Sequence, residues 1–217
     1  MSNVHISQHP IIAQLVTELR DKKTKQSQFR ALVRKISTLL AFEATSTIRT
    51  DSVQVETPLM KTSGVKIIET IGIVPILRAG LGMTEGFLDL LLEAQVWHLG
   101  LFRDERTLKP VTYYNRLPDK ICVSLCFLVD PMLATGESAV ASCDILKKWG
   151  TTRIIFVGLI GAPEGVKLLQ HKHPDVDIYL AALDERLTGS GDPWPSGYIL
   201  PGLGDAGDRQ FGTGNHE

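Results

Sequence analysis

The chain has 217 residues, 43% of them hydrophobic and 22% charged, which is long enough for one domain with a sizeable core. With 23 lysine and arginine residues against 24 aspartate and glutamate residues, its formal net charge of -1 argues against wholesale binding to nucleic acid or to a membrane surface. The three cysteines include no CxxC pair, which argues against a disulfide framework and a zinc site and indicates a reducing compartment.

The N-terminal segment "MSNVHISQHPIIAQLVTELR" has neither the basic region nor the long apolar region of a secretory signal. No window of the sequence approaches the ~18 uncharged apolar residues that cross a membrane as a helix. These patterns predict a cytoplasmic protein that contacts no membrane.

Two amphipathic helices come first along the chain, because apolar residues recur at helical spacing from Ile11 to Arg20 and from Ser27 to Ser46. Residues 50–60 are polar, rich in β-branched residues and broken by Pro58. This pattern predicts a short exposed strand or hairpin arm outside the main sheet.

After Gly72, short apolar runs alternate with helical patterns, which is typical of a parallel sheet buried on both faces. The connection 103–120 is charged, contains two prolines and has no helical period, so we expect a mobile lid or a β-arm there. From Leu187 onward, glycine and proline are so dense that neither a helix nor a long strand is expected, and the tail should form a structured cap. The predicted strands are 71–77, 96–102, 121–129, 153–160 and 177–183, and the predicted helices are 81–94, 137–149 and 163–172.

The turn "VDPMLATGESA" (129–139) carries the first candidate ligand site, since ligands of such sheets bind beyond the carboxyl ends of the strands. Asp130 ends a strand, and the residues after it lead into a helix whose first amides lack intrahelical partners. Those amides, the hydroxyls of Thr135 and Ser138 and the helix dipole predict a site for a phosphate monoester, with Asp130 facing sugar hydroxyls or a metal ion. The loop has no lysine, which argues against ATP binding. The alternative is ordinary capping of a strand and a helix.

Two arginines at other strand ends form the second candidate site. Arg78 precedes small residues in "VPILRAGLGM" (74–83), and Arg103 is followed by Arg106 and Lys109 on the long connection. Guanidinium groups match phosphate oxygens bidentately, so the pair can clamp a second phosphate group. Taken alone, each arginine is better explained as a surface salt bridge. Together, the turns predict a ligand with two separated phosphate groups.

Several segments resemble, in the same order, those of the uracil phosphoribosyltransferase family, a branch of the type I phosphoribosyltransferases. They are "VPILRAGLGM", "FRDE", "VDPMLATGESA", "APEG", "HPDV" and "GYILPGLGDAGDRQFGT". The loop alone identifies the superfamily, and the tail is the most specific part. The resemblance implies an α/β fold with a central, mainly parallel sheet flanked by helices, in a single domain spanning 1–217. Its parts would be N-terminal helices (11–46), a β-arm, the core sheet (71–183) and a Gly/Pro-rich hood (184–213).

The resemblance also implies the reaction and its residues. The enzyme would be a pentosyltransferase that moves the 5-phosphoribosyl group from phosphoribosyl pyrophosphate (PRPP) to N1 of uracil, giving UMP and pyrophosphate in pyrimidine salvage. The implied catalytic residues are Asp130, Arg78, Arg103 and Asp205. The PRPP-binding residues would be Arg78, Arg103, Asp205 and the loop Asp130, Pro131, Met132, Leu133, Ala134, Thr135, Gly136, Glu137 and Ser138. The uracil-binding residues would be Ile199, Gly204, Asp205 and Ala206.

The resemblance further implies partners of the enzyme. Mg²⁺ would arrive bound to PRPP, and GTP would be a candidate effector. The protein would form a homo-oligomer, a dimer or larger, to which the 50–60 arm would contribute contacts. Two departures from the family pattern stand out. Glu137 replaces a second glycine, and we expect its side chain to point outward from the first helical turn. The segment 189–196 is longer than in relatives and bears Trp194, an aromatic residue at the rim of the base pocket.

Two other functions fit the same fold. One is a non-catalytic regulatory protein that binds uridine nucleotides or RNA, against which the near-neutral charge argues. The other keeps the reaction with a different base, against which the specific tail argues.

Overall fold

The structure, a computed structural model, describes residues 3–103 and 110–214, and of residues 102, 103 and 110 it describes the backbone alone. A mainly parallel β-sheet forms the centre, with helices packed on its two faces, which confirms the predicted α/β class. In the described ranges, no helix combines the length and the apolar character needed to cross a bilayer.

The elements of the described residues follow one another in a largely alternating order. The helices are α1 (Pro10–Arg20), α2 (Gln26–Ala44), α3 (Leu81–Leu88), α4 (Glu137–Trp149), α5 (Pro163–Lys172) and α6 (Ala206–Phe211). The strands are β1 (Val4–Ile6), β2 (Thr50–Glu56), β3 (Lys61–Ile67), β4 (Ile71–Leu77), β5 (Gln95–Val96), β6 (Leu99–Arg103), β7 (Pro110–Asn115), β8 (Leu125–Val129), β9 (Met132–Leu133), β10 (Arg153–Gly161), β11 (Asp177–Leu183), β12 (Arg186–Leu187) and β13 (Ile199–Leu200).

The central sheet has the strand order β1-β11-β10-β8-β4-β6-β7, with β5 beside β4 and β9 beside β10. In this order, each strand from β1 through β11, β10, β8 and β4 to β6 is parallel to the next, whereas β7 runs antiparallel to β6. The carboxyl ends of β11, β10, β8, β4 and β6 therefore lie along one edge, which is the edge where ligands bind in sheets of this type.

Side chains of the central strands alternate between two buried layers, as the pleat requires. In β8, Phe127 and Val129 face the layer that contains α1, α2 and α3, whereas Cys126 and Leu128 face the layer that contains α4 and α5. Phe127 lies against Phe87 of α3, with ring centroids 5.3 Å apart. The apolar runs that predicted buried strands thus supply both layers at once.

Several predicted boundaries are confirmed and others are wrong. Helices α4 and α5 and strands β4 and β11 have the predicted bounds. The predicted helix 81–94 ends at Leu88, after which the chain turns: the N–H groups of Leu90 and Leu91 both donate to the carbonyl of Phe87, and the N–H of Ala94 donates to the carbonyl of Leu91. The predicted strand 121–129 begins only at Leu125, because Ser124 hydrogen-bonds to Thr70 ahead of β4.

The predicted arm is a two-stranded hairpin that extends beyond residue 60. Strands β2 and β3 pair with each other and, within the described residues, with no other strand. Glu69 anchors the base of this hairpin, since its buried carboxylate accepts hydrogen bonds from the backbone N–H of Arg49 (2.9 Å) and from Arg153 at the start of β10 (3.2 Å). Burial alone would raise the pKa of Glu69, but these donors outweigh it and the pKa is lowered.

The long connection takes one of its two predicted forms, and the tail contains more regular structure than predicted. The connection 103–120 is in part a β-arm, because β7 pairs with β6, whereas Arg106 and Lys109 lie outside the described residues. The expectation that no helix runs through the tail is wrong. Asp205 caps the short helix α6 by accepting the N–H of Asp208 (2.8 Å), and Gly212 ends it in a left-handed conformation.

Candidate active site

The predicted ligand-binding residues follow three adjacent strands of the sheet. Arg78 comes directly after β4, Asp130 directly after β8, and Arg103 is the last residue of β6. Strand β4 lies between β8 and β6, so turns that are far apart in sequence meet at one edge. For Arg103 only this backbone position is described.

The loop after β8 is held against β10 by its backbone. The Pro131 carbonyl accepts the N–H groups of Leu159 and Ile160 (both 3.0 Å), and the Leu133 carbonyl accepts the N–H of Ala162 (2.9 Å). Pro131 is buried in this contact and does not line the cavity that the loop encloses. The loop is therefore placed by hydrogen bonds that do not depend on its side chains.

The loop encloses a cavity of about 80 Å³ at the start of α4. Pockets that bind drug-sized ligands have volumes of about 300–1,000 Å³. This smaller cavity therefore suits a phosphate group and not a whole nucleotide. The first amides of α4 and the helix dipole favour an anion there. The cavity is lined by Asp130, Met132, Leu133, Ala134, Thr135, Gly136, Ser138 and Ala139.

Two glycines let the loop lie directly on the first turn of α5. Gly136 has a left-handed backbone (φ 86°), and a Cβ on it would lie 2.7 Å from the Gly165 carbonyl oxygen. A Cβ on Gly165 would in turn meet the carbonyl oxygens of Ala134 and Leu133. Gly165, in the "APEG" segment, was not predicted as a site residue, because its role depends on a contact between distant segments.

Asp130 is half-buried beside the cavity and its pKa is raised to about 7. Burial is the main cause, since it disfavours the charged carboxylate. The N–H of Met132 acts in the opposite direction, and the negative charge of Asp205 adds to the increase. The turn after β4 lies against the end of β8, since a Cβ on Gly80 would collide with the carbonyl oxygen of Val129.

Arg78 is held by the tail. Its Nη1 donates to Thr213 Oγ1 (3.2 Å) and its Nη2 lies 3.4 Å from Asp208 Oδ1. A Cβ on Gly207 would lie 3.2 Å from Asp205 Oδ1 and 3.7 Å from Arg78 Nη2, so Asp205 and Arg78 are neighbours. The structure therefore brings Arg78, Asp130 and Asp205 together.

The predicted base-binding residues belong to the same tail. The side chain of Ile199 is buried, Gly204 has a left-handed backbone (φ 79°), and Ala206 begins α6 directly after Asp205. Buried Gln210 joins this segment to the turn at Arg78, since its Nε2 donates to the carbonyls of Ala79 and Ala206 (both 3.0 Å). Sequence reasoning missed Gln210, Asp208 and Thr213, although all three lie in the quoted tail segment, because the segment does not indicate their partners.

The two departures from the family pattern take defined places. The side chain of Glu137 does not point freely into solvent as expected, because its Oε2 atom is buried. Glu137 also does not line the cavity of the loop. In the segment 189–196, Asp192 accepts hydrogen bonds from Arg186 (2.7 Å) and from the N–H of Gly189 (2.7 Å), and these lower its pKa to about 2. Trp194 is 56% exposed.

The described residues contain no group of three His, Cys, Asp or Glu side chains that could hold a metal ion. A metal ion at this edge would therefore need ligands from a bound substrate as well as from the protein.

Comparisons with known proteins agree in one family. A family model for uracil phosphoribosyltransferase matches residues 6–213. The chain is 55% identical over 214 residues to the uracil phosphoribosyltransferase of Roseiflexus sp. (strain RS-1), with 99% of this chain and 100% of that protein covered. The solved structure of the AQ2163 protein from Aquifex aeolicus is similar, with a TM-score of 0.89, 34% identity, and coverage of 98% of this chain and 100% of that one. Adenine phosphoribosyl transferase from Trypanosoma brucei, solved with AMP, pyrophosphate and ribose-5-phosphate, shares the fold (TM-score 0.56, 12% identity, 89% of this chain and 90% of that one).

The contact between Gly165 and the loop generates a prediction. Gly165→Ala should lower the free energy of unfolding by about 1–3 kcal/mol, because the added methyl group meets backbone atoms that cannot move independently. It should also weaken the binding of ribose 5-phosphate by displacing the cavity. Thermal unfolding and calorimetric titration measure the two effects. Gly191→Ala is the matched control, since a Cβ there meets nothing within 4 Å. Unchanged binding in Gly165→Ala would contradict the assigned cavity.

Proposed function

The chain belongs to the uracil phosphoribosyltransferase family, and we propose here how its residues share the work of the reaction. The enzyme is a pentosyltransferase that moves the 5-phosphoribosyl group from PRPP to uracil, giving UMP and pyrophosphate. A phosphate-sized cavity, Arg78 and the tail lie together at one edge of the sheet, and the roles assigned below rest on that observation. We also propose a single domain spanning 1–217, because both buried clusters share the central sheet.

The loop from Asp130 to Ser138 binds the ribose 5-phosphate in this proposal. The phosphate enters the cavity, where the first amides of α4 and the hydroxyls of Thr135 and Ser138 face it. Asp130, at the rim, accepts hydrogen bonds from the ribose hydroxyls. This arrangement keeps the anionic phosphate at the helix end and the acid at the neutral hydroxyls.

Arg78 and Arg103 bind the pyrophosphate. Breaking the bond between the anomeric carbon and pyrophosphate builds positive charge on the ribose and negative charge on the leaving group. Arg78, directly after β4, and Arg103, the last residue of β6, would stabilise that negative charge more in the transition state than in the ground state. Asp208 and Thr213 orient Arg78 for this contact.

Mg²⁺ is expected to enter with PRPP and to supply positive charge at the leaving pyrophosphate. The residues fit such a ligand, because Asp130 and Asp205 stand close enough for one carboxylate to raise the pKa of the other. Asp130 and Asp205 would help to hold the ion together with the substrate, and its positive charge would relieve that repulsion.

The tail binds uracil through Ile199, Gly204, Asp205 and Ala206. Uracil presents two carbonyl acceptors on either side of the N3–H donor, and backbone N–H and C=O groups of a fixed segment can match this pattern. Cytosine presents a different pattern and would leave a buried group without a partner, which costs discrimination of order 10⁴ or more. N1 of uracil bonds to the anomeric carbon as the bond between that carbon and the pyrophosphate oxygen breaks, and the N1 proton passes to solvent. Asp205 positions the two substrates relative to each other.

The regulatory and different-base alternatives are not supported, because the relatives that match over the full chain bear the name of the uracil enzyme. GTP activation is a proposal from family resemblance alone. The three free cysteines favour a reducing, cytoplasmic location.

A homo-oligomer, a dimer or larger, is proposed from the hairpin β2–β3. A lone two-stranded hairpin is marginally stable in water, and this one exposes apolar side chains, including Leu59 (95%) and Met60 (69%) at its tip. A second copy of the chain that covers the tip would stabilise the hairpin.

The transferase assignment predicts UMP formation from labelled uracil and PRPP with Mg²⁺, and no product from cytosine, adenine, hypoxanthine or orotate. Arg78→Ala should lower kcat/KM about 10²- to 10³-fold, because a group that stabilises the leaving pyrophosphate is lost. Asp205→Ala should also lose most activity. Arg34→Ala is the matched control, since Arg34 and Arg78 are similarly exposed (52% and 57%) in ion pairs. A folded protein without turnover, with or without GTP, would refute the assignment.

The raised pKa of Asp130 predicts a pH dependence of PRPP binding. Above pH 7 the carboxylate is charged and accepts the ribose hydroxyls, whereas at pH 6 about nine-tenths of it is protonated and affinity should fall about tenfold. The dissociation constant for PRPP is measured for wild type and for Asp130→Asn from pH 5.5 to 8.5. The ratio of the two constants at each pH cancels the effect of the substrate's own titration. A ratio that does not change with pH would show that Asp130 does not bind PRPP as a carboxylate.

The oligomer proposal predicts that Leu59→Lys combined with Met60→Lys shifts the protein toward monomer, because each lysine would be buried against the second copy. Sedimentation velocity across micromolar concentrations measures the shift. A wild-type protein that sediments as a monomer would contradict the proposal.

A further inference from the structure

A buried ion pair joins the end of α1 to the start of the hood, and neither of its residues lines the phosphate-sized cavity. Arg20, the last residue of α1, contacts Asp184, the residue after β11, through both of its terminal nitrogens, with Nη1 2.7 Å from Oδ2. The Asp184 side chain is 3% exposed and that of Arg20 is 23% exposed. Removing one member of a buried pair leaves the other without compensation, so the fold favours keeping these two side chains in contact.

Both residues also hold the backbone of Gly202. The N–H of Gly202 donates to Asp184 Oδ2 (2.8 Å), and Arg20 Nη1 donates to the Gly202 carbonyl (2.7 Å). Gly202 has a left-handed backbone (φ 64°), and a Cβ on it would collide with the Ile199 carbonyl oxygen. Every polar group of Gly202 is thus engaged by two side chains from distant parts of the chain.

A second arginine holds the next residue from the other side. Arg209 Nη1 donates to the carbonyls of Leu203 and Leu19 (both 2.8 Å), and Nη2 donates to the carbonyl of Asp21 (2.6 Å). Its guanidinium lies over the ring of Phe29, 4.3 Å from the centroid. Gly202 and Leu203 are therefore fastened to the end of α1, and these two residues are the last two of the four that separate Ile199 from Gly204.

We propose that Arg20 and Asp184 are positioning residues for base recognition. By fixing the turn at Gly202, they set the relative position of Ile199 and Gly204–Ala206. The inference rests on the proposed assignment of those residues to uracil. A segment that selects a base with backbone groups has no side chain to adjust, so its placement determines both affinity and selectivity. Misplacement by about 1 Å can cost about 10²-fold in rate.

The test is steady-state kinetics of Arg20→Ala and Asp184→Asn, with both substrates varied. We expect KM for uracil to rise about 10- to 100-fold and the preference for uracil over cytosine to fall. KM for PRPP should rise less than KM for uracil, because Asp205 is the one displaced residue that is also assigned to PRPP. Arg20→Lys keeps one donor for the Gly202 carbonyl and should give an intermediate KM for uracil. If Arg20→Ala does not fold, Arg20→Lys and Asp184→Asn carry the same test.

Arg153→Ala is the matched control for loss of a buried ion pair. Arg153 is 27% exposed and pairs with the fully buried side chain of Glu69, at the amino end of β10 and away from the tail. It should lower the melting temperature and leave KM for uracil unchanged. An unchanged KM for uracil in Arg20→Ala, or an equal rise for both substrates, overturns the inference while wild-type turnover upholds the enzyme. Wild type without uracil turnover overturns both.

Discussion

Backbone packed directly on backbone at the carboxyl edge of the sheet is the constraint on which the rest of the site depends. Gly136 and Gly165 bring the loop after β8 onto α5, and Gly80 brings the turn after β4 against the carbonyl of Val129. A side chain at any of these positions would separate segments that carry ligand-binding groups. The separation between Arg78 and Asp130 is therefore set by glycines, and the chemistry of the site follows from that separation.

Arginines serve two purposes in this protein, and burial distinguishes them. Arg78 is exposed and is held loosely by Asp208 and Thr213, so it can turn to an anionic ligand. Arg20 donates to the carbonyl of Gly202 and to the buried carboxylate of Asp184, and Arg209 donates to backbone carbonyls. The positive charges of these two arginines therefore stabilise the fold. Near-neutral net charge is compatible with binding a highly charged substrate, because the field at the site comes from a few local groups.

The tail links the turn after β8, which carries Asp130, to the turn after β4, which carries Arg78. Asp205 raises the pKa of Asp130 on one side, Gln210 reaches the carbonyl of Ala79 on the other, and Arg209 fastens the segment to α1. The same short segment thus contacts the groups proposed for ribose, pyrophosphate and uracil. Such a design explains how a glycine-rich tail without a hydrophobic core of its own can have a defined structure.

Periodicity and composition alone determined the α/β class, the bounds of α4 and α5, the strands β4 and β11, and the turns where Asp130 and Arg78 lie, because these features depend on neighbours in sequence. The end of α3, the late start of β8 and the helix α6 were mispredicted. The first two depend on backbone turns and hydrogen bonds that an apolar pattern does not show, such as that of Ser124 to Thr70, and in the third the cap at Asp205 outweighs the dense glycines of the tail. The roles of Gly165, Gln210 and Arg20 were decided by tertiary structure. Each depends on a contact with a segment distant along the chain, and no local pattern in a single sequence specifies which distant segments will meet.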